Sequence, residues 1–271
     1  MEFIVKTLLF ILLFTSSLFS NEQNFEAPIA AQIEARVGSF YQTNVDKMRL
    51  DIGNSFDLSK LYESEFLLVN SGADLMTYTR LRSVGKFKFP VETTDYYFGV
   101  NSSIIIKSKT NNYFSSRIRV AHISSHLIDG FSKDGVFNKL PYTYSREFVD
   151  LLVAYNSKYN EDINYKVYAG LNIIFSTIPD EVNLFEPQLG FDLNYNLYKN
   201  KFNFVLAYDL RLLGQNGNYI GSNSLQSGIN YLTSETKSIF FGYYYYSGQS
   251  IHGLFIKEYD QYHGIGVQLY Y

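Results

Sequence analysis

Hydrophobic and polar residues alternate along most of the chain from residue 31 onward. In the segment 188–197, for example, apolar side chains occupy every odd position from Leu189 to Leu197. Successive side chains of a β-strand point to opposite faces, so a period of two predicts strands with one apolar and one polar face. The pattern is clearest in four segments: 163–175, 188–197, 202–212 and 263–271.

The predicted strands span about 9 to 13 residues, longer than the ~5–6 typical of a soluble sheet. They match the ~9–11 residues with which a tilted strand crosses a bilayer. Single-chain bacterial barrels have even strand numbers. We therefore predict an all-β, transmembrane antiparallel β-barrel of about 12 strands, with 10 to 14 open, and one candidate within 40–90 could instead be a plug or a periplasmic segment. The thirteen candidates centre near residues 36, 49, 64, 79, 102, 118, 149, 168, 192, 207, 228, 242 and 266.

The N-terminus has the pattern of a secretory signal. Lys6 precedes a short apolar run at 8–14, and a cleavage site could follow Ser20. The alternative, an uncleaved anchor, is less favoured because a spanning helix needs about 20 apolar residues. We predict a signal peptide at 1–20.

The chain beyond the signal divides into a short lead-in and the barrel. Residues 21–30 have no clear period and predict a periplasmic lead-in, and the barrel is expected at 31–271. The last strand ends on Tyr271 and resembles the C-terminal assembly signal of bacterial outer-membrane proteins. This resemblance implies the outer membrane of a diderm bacterium, with the outer-membrane assembly machinery as a partner.

The composition agrees with a barrel that has one lipid face and one wet face. Charged residues make up 18% and aromatic residues 18%, with 25 Tyr and 23 Phe. The net charge of −3 argues against a nucleic-acid partner, which would require a basic surface. The chain has no cysteine, which excludes disulfides, thiolate metal sites and cysteine nucleophiles.

Charged residues on the polar strand faces are expected to line the lumen. Their mixed signs and the strand number favour a filled interior in which they pair, over a narrow porin. No phosphate-binding loop, calcium-loop spacing or His/Cys metal motif is present, so no cofactor is evident from the residues. These luminal residues are Arg117, Arg119, Arg146, Asp150, Lys166, Asp192, Asp209 and Arg211.

One strand pair near the middle of the chain has polar residues on its predicted lipid face. Arg117 and Arg119 share one face of the first strand, and Val120, His122 and Ser124 share the other. Since the charges belong in the lumen, the second set faces lipid. A histidine and a serine have no ordinary structural reason to lie there.

The second strand of the pair shows the same anomaly. Asp150 faces the lumen, so Glu147 and Ser145 face lipid. If the hairpin is symmetric, paired residue numbers sum to 269, which sets Glu147 opposite His122 and Ser145 opposite Ser124. A register shift of two would give His122 another neighbour, so the pairing with Glu147 depends on this register.

The arrangement predicts a nucleophile, a base and an orienting acid: Ser124, His122 and Glu147. The alternative is that polar side chains lie there only because the interface girdle tolerates them. His126 and His252 could instead indicate a metal site, which is disfavoured because His122 and His126 are about 13 Å apart along the strand.

The segment Arg119-Val120-Ala121-His122-Ile123-Ser124-Ser125-His126 resembles the His-x-Ser motif of two outer-membrane lipid hydrolases, phospholipase A and the lipid A 3-O-deacylase. The segment around Ser145-Arg146 is similar to the one that follows the motif in the phospholipase. The His-x-Ser-Ser-His core also resembles an uncharacterised outer-membrane family of unknown function, over about residues 75–271.

These resemblances imply a serine hydrolase of outer-leaflet phospholipid or lipopolysaccharide, with membrane lipid as its partner. They support His122 and Ser124 and leave the third member open, since the phospholipase uses Asn where alignment would place Val149. They also imply a homodimer and a calcium ion, for which Ser145 is the one residue carried over. The accessory candidates are Ser145, Ser125, His126 and Arg146. The alternatives are a non-enzymatic barrel, either a narrow porin or a structural protein, and a lipid-binding barrel.

Overall fold

The computed structural model describes residues 25–108, 111–198, 201–234 and 237–270. The predicted signal peptide and the terminal Tyr271 lie outside the described residues. Within these ranges no helix is both long and apolar enough to span a membrane.

Twelve antiparallel strands form one closed barrel. Each strand pairs with its neighbours along the chain, and the last strand returns to the first, which confirms the predicted architecture and strand number. Two further short strands, β6 and β7, pair with each other in the connection between β5 and β8. The strands are β1 (Val37–Gln42), β2 (Lys47–Glu63), β3 (Leu67–Arg82), β4 (Val91–Lys107), β5 (Tyr113–Leu127), β6 (Ser132–Lys133), β7 (Val136–Phe137), β8 (Tyr144–Lys158), β9 (Ile163–Ile178), β10 (Phe185–Tyr198), β11 (Phe202–Gln215), β12 (Asn218–Leu232), β13 (Ser238–Gln249) and β14 (Tyr259–Tyr270).

The predicted strand centred near residue 64 is wrong. Residues 64–66 connect β2 to β3, and β2 itself runs for 17 residues. Its pairing with β3 shifts register between Asp57 and Ser59 and again between Lys60 and Tyr62. A bulge adds one residue and interrupts the alternation of faces. One long strand therefore has the sequence pattern of two shorter ones.

The two ends of the barrel differ in the length of their connections. We call the end that holds the connections 83–90, 128–143 and 250–258 the long-loop end. The opposite, short-turn end holds turns such as 64–66 and 159–162. Since the strand number is even, β1 begins and β14 ends at the short-turn end. This asymmetry is typical of outer-membrane barrels, whose longer loops face outward.

The lumen is filled by residues 25–36, which precede the first strand. Glu34, near the end of this segment, accepts hydrogen bonds from Arg117 at 2.6 and 3.0 Å and from Arg119 at 3.0 and 3.1 Å. Asp150 also accepts from Arg119 at 3.1 Å. Residues 25–30 belong to the predicted lead-in and 31–36 to the predicted barrel, and their patterns gave no indication that both lie among luminal side chains. Residues 21–24 of the lead-in lie outside the described residues.

All eight charged residues predicted to line the lumen are buried. They form ion pairs and hydrogen bonds inside the barrel, including Lys166 with Asp192 at 2.7 Å and Arg146 with Glu186 at 2.7 Å. Pairing compensates the cost of removing these charges from water. These side chains thus form a polar core of paired charges within the barrel.

The long-loop end is closed by the connection 250–258, which folds into the barrel. His252 pairs with Asp95 through Nδ1 and Oδ2 at 2.6 Å, and the Gly253 amide donates to the other oxygen of Asp95 at 2.9 Å. Leu254 and Phe255 are 1% exposed and pack in the largest apolar cluster of the lumen. This cluster supports the wall from inside.

Candidate functional site

The predicted register of the central hairpin is confirmed. In the pairing of β5 with β8, His122 lies opposite Glu147 and Ser124 lies opposite Ser145. The chain folds this way because Arg119 and Asp150, which are also register partners, must both face the lumen. Strand alternation then turns His122 and Ser124 of β5, and Ser145 and Glu147 of β8, outward.

The polar residues of this hairpin face away from the lumen. Ile123, between His122 and Ser124, is 1% exposed, whereas the His122 and Glu147 side chains retain 27% and 31% of their accessible surface. The neighbouring outward residue Val120 is 47% exposed, as expected for a wall that contacts lipid. The candidate site is therefore open to the lipid face near the long-loop end.

His122 and Glu147 are in direct contact. The Nδ1 atom of His122 lies 2.7 Å from Oε1 of Glu147. A carboxylate at this distance favours the tautomer that carries its proton on Nδ1, which donates to Glu147. The Phe98 ring lies against the imidazole with its centroid 4.7 Å away and 31° between planes. The ring is thus oriented on two sides, and Nε2 is left as the basic nitrogen.

Ser124 shares the outer face with His122, two positions further along β5. Such positions are separated by about 6.7 Å along a strand, which side chains of this size can span. Among the residues that the structure describes, Ser124 Oγ makes no hydrogen bond, and the residue is only half-buried. Its hydroxyl is therefore accessible for a ligand or for the imidazole.

Ser176 extends this polar group onto a third strand. It lies opposite Glu147 in the pairing of β8 with β9, and its side chain interacts with the Glu147 carboxylate. Sequence reasoning missed it, because alternation along β9 places Ile173 and Phe175 outward and Ser176 inward. A register shift between Glu147 and Phe148 reverses this parity.

The accessory candidates divide between the two faces of the wall. His126 faces outward, where Tyr96 packs edge-on to its ring at 5.7 Å, and Ser145 faces outward beside Ser124.

Ser125 and Arg146 lie on the luminal face. Ser125 Oγ accepts a hydrogen bond from the Leu254 amide at 3.3 Å, and Arg146 donates to Glu186. These two are separated from the outer group by the wall itself.

The described residues contain no group of three or more side chains arranged to hold a metal ion. His252, the third histidine considered in the sequence, is 3% exposed and paired inside the lumen, away from His122 and His126. A calcium ion stays a prediction from the resemblance alone.

Solved structures of outer-membrane barrels resemble this chain. Outer membrane phospholipase A from Escherichia coli has a TM-score of 0.55 at 12% identity, over 94% of this chain and 96% of its own. The β domain of the Bordetella autotransporter BrkA has 0.46 at 9% identity, over 88% and 99%. OmpT of Vibrio cholerae has 0.40 at 8% identity, over 89% and 100%. At such identities the phospholipase likeness shows a shared outer-membrane-type barrel fold.

A search of curated proteins finds no match to the chain. The profile of a family described as "Protein of unknown function (DUF1207)" matches residues 86–271. The matched range contains β5, β8 and β9, and so every outward residue of the candidate site. The chain belongs to this family, DUF1207, whose function is unknown.

Proposed function

We propose that this protein is an outer-membrane lipid hydrolase that cleaves an acyl ester of outer-leaflet phospholipid or lipopolysaccharide. The observation that carries the proposal is the 2.7 Å contact between His122 and Glu147 on the lipid face, with Ser124 on the same face. Ser124 is the nucleophile, His122 the general base and Glu147 the acid that orients and stabilises the imidazole.

The reaction follows from these roles. The Ser124 hydroxyl passes its proton to Nε2 of His122 as Oγ bonds to the acyl carbonyl carbon. The tetrahedral intermediate then breaks its bond to the leaving alkoxide, which takes the proton from His122. Water hydrolyses the resulting acyl-enzyme by the same sequence, with His122 again as base. Glu147 stabilises the imidazolium through the Nδ1 proton in both halves of the reaction.

The position of the group in the wall supports a lipid substrate. An ester linkage lies at the boundary between acyl chains and headgroups, and the site lies near the long-loop end above apolar residues such as Val120 and Leu151. Ser145, opposite Ser124, is placed to donate a hydrogen bond to the carbonyl oxygen as negative charge develops.

The filled lumen gives no support to the narrow-porin alternative, since residues 25–36 and 250–258 occupy the interior. A lipid-binding barrel without chemistry would use the same outer face. A calcium ion and a second copy of the chain are additions implied by the likeness to the phospholipase. The assay includes calcium and chelator arms for this reason.

The decisive experiment measures fatty-acid release by the purified full chain in detergent micelles. Phosphatidylcholine and lipopolysaccharide are the two substrates. Ser124→Ala is expected to abolish release, whereas Ser116→Ala, on the same strand and also only half-buried, is expected to retain it. Covalent labelling by a fluorophosphonate probe should be lost in Ser124→Ala alone. Undiminished release by Ser124→Ala would end the proposal, and lipid binding without release would favour the non-enzymatic alternative.

A further inference from the structure

The connection 83–90 between β3 and β4 presents a basic, aromatic tip at the long-loop end. Phe87 at this tip is 96% exposed, and the lysines on either side of it, Lys86 and Lys88, are also exposed. Full exposure of a large apolar side chain has a solvation cost, which a binding surface offsets when it is occupied.

The backbone holds this tip in one shape. Gly85, Lys86 and Phe87 have φ values of 80°, 52° and 57°, all in the left-handed region. Two of the three carry side chains for which this region is unfavourable. The Val84 amide donates to the Lys88 carbonyl at 3.1 Å, and the Lys88 amide donates to the Gly85 carbonyl at 3.1 Å. The turn therefore keeps Phe87 exposed between its two lysines.

The tip is basic, unlike the other connections at the same end. It contains two lysines and no acidic residue. The connections 43–46 and 179–184 are acidic, and 128–143 and 250–258 each have equal numbers of Lys and of Asp plus Glu. Within the part of the chain that the structure describes, neither Lys86 nor Lys88 forms an ion pair. Both ammonium groups are available to an anion.

The base of the connection packs on an aromatic residue at the rim of the barrel. Phe89 packs edge-on to Tyr41, with ring centroids 6.5 Å apart and 75° between planes. The Tyr41 hydroxyl donates to Asp46 at 2.7 Å, and the Ser83 amide donates to the Asp46 carbonyl at 2.8 Å. Tyrosines at a barrel rim mark the headgroup region of the membrane. The tip therefore projects from the level at which lipid phosphates lie.

We propose that the connection 83–90 docks on the outer leaflet, with Lys86 and Lys88 on the phosphates of anionic lipid headgroups and Phe87 among the lipids. This would fix the rotation and depth of the barrel wall relative to the membrane surface. The inference is independent of the proposed hydrolysis, because none of its residues belongs to the group around Ser124.

The absence of tryptophan from the chain provides a direct test. Phe87→Trp introduces a single tryptophan at the tip of the full chain, which can be excited selectively over the tyrosines. In nanodiscs that contain phosphatidylglycerol, we expect its emission to shift to shorter wavelength and to be quenched by brominated phosphatidylglycerol. In discs of phosphatidylcholine alone the shift should be much smaller, and raised salt should reverse it.

Two sets of controls separate the phosphate contact from general burial. Adding Lys86→Gln and Lys88→Gln should weaken the response, since a lysine near an anionic surface contributes about fivefold to association. Leu140→Trp, at a position that is 86% exposed in the charge-balanced connection 128–143, should show no dependence on phosphatidylglycerol. Inorganic phosphate added to phosphatidylcholine discs should not shift the emission of Phe87→Trp.

Three results would overturn the inference. These are water-like emission of Phe87→Trp in both lipids, an equal shift in both lipids, and a shift reproduced by inorganic phosphate alone. The last would indicate a free-anion site instead of docking on lipid. A lipid-specific shift that persists after both lysine substitutions would likewise remove the role assigned to Lys86 and Lys88.

Discussion

The two faces of the wall formed by β5 and β8 hold charged residues in opposite ways. On the luminal face, Glu34 and Asp150 accept hydrogen bonds from Arg117 and Arg119, and each of these residues is at most 5% exposed. On the outer face the pair between His122 and Glu147 retains more than a quarter of its surface.

The two faces of this one hairpin therefore differ in the role that their charges can have. The luminal network contains two arginines and two carboxylates and is closed to solvent. Its role is to hold the wall and the segment inside the barrel together. The outer pair has an accessible serine beside it and faces the phase that contains lipid. An ion pair that retains more than a quarter of its surface contributes little to stability. Substitutions in the outer pair and in the luminal network should therefore have different consequences.

Of three substitutions that compare the outer pair with the luminal contacts, Glu147→Gln is expected to have the largest effect, and on catalysis alone. An amide keeps the size of the side chain but cannot stabilise the imidazolium of His122, so kcat for fatty-acid release should fall by about 10²- to 10⁴-fold. The measurement is kcat alongside the urea midpoint of unfolding, which should change little. Glu161→Gln, in the exposed turn 159–162, is the matched control. Full activity of Glu147→Gln would remove the carboxylate from the mechanism.

Glu34→Ala, on the luminal face, should lower the stability of the barrel. It leaves the buried Arg117 and Arg119 with Asp150 as their shared carboxylate partner, and breaking a buried ionic network costs about 3–5 kcal/mol. Urea unfolding in detergent, followed by heat modifiability on gels, measures the loss. An unchanged midpoint would show that the ion pairs of Glu34 do not stabilise the barrel.

His252→Ala is expected to have the smallest effect. The Asp95 carboxylate loses one buried partner but keeps the Gly253 amide, so the cost should be about 1–3 kcal/mol and confined to the connection 250–258. Trypsin cleavage after Lys257, whose side chain is 62% exposed, reports on local opening. Cleavage should become faster while global unfolding changes less than in Glu34→Ala. An unaltered cleavage rate would mean that this ion pair does not hold the connection inside.

The wall of the barrel could be predicted from the sequence because its rules are local. Charges on alternate positions place Arg119 and Asp150 in the lumen, and a symmetric hairpin then sets His122 opposite Glu147. The prediction failed where bulges interrupt alternation. They divided β2 into two candidates and reversed the expected direction of Ser176.

The contents of the lumen could not be predicted in the same way. Residues 21–30 have no clear period, and the alternation of 31–36 does not distinguish a luminal segment from a strand of the wall. Glu34 contacts arginines more than 80 positions away in the chain. His252 finds Asp95 at a separation of 157 residues. The local sequence does not specify such partners. They depend on the space and the unpaired charges that remain inside the barrel once its wall has closed.

The shortness of β1 has a mechanical consequence for the ring. Six residue pairs join β1 to β14 and six join it to β2, against twelve between β13 and β14. Under a tangential load, resistance along a strand boundary scales with the number of hydrogen-bonded pairs that must separate together. The two boundaries of β1, with β14 and with β2, are therefore the weakest lines in the cylinder, and a force applied to β1 opens the ring at one of them first.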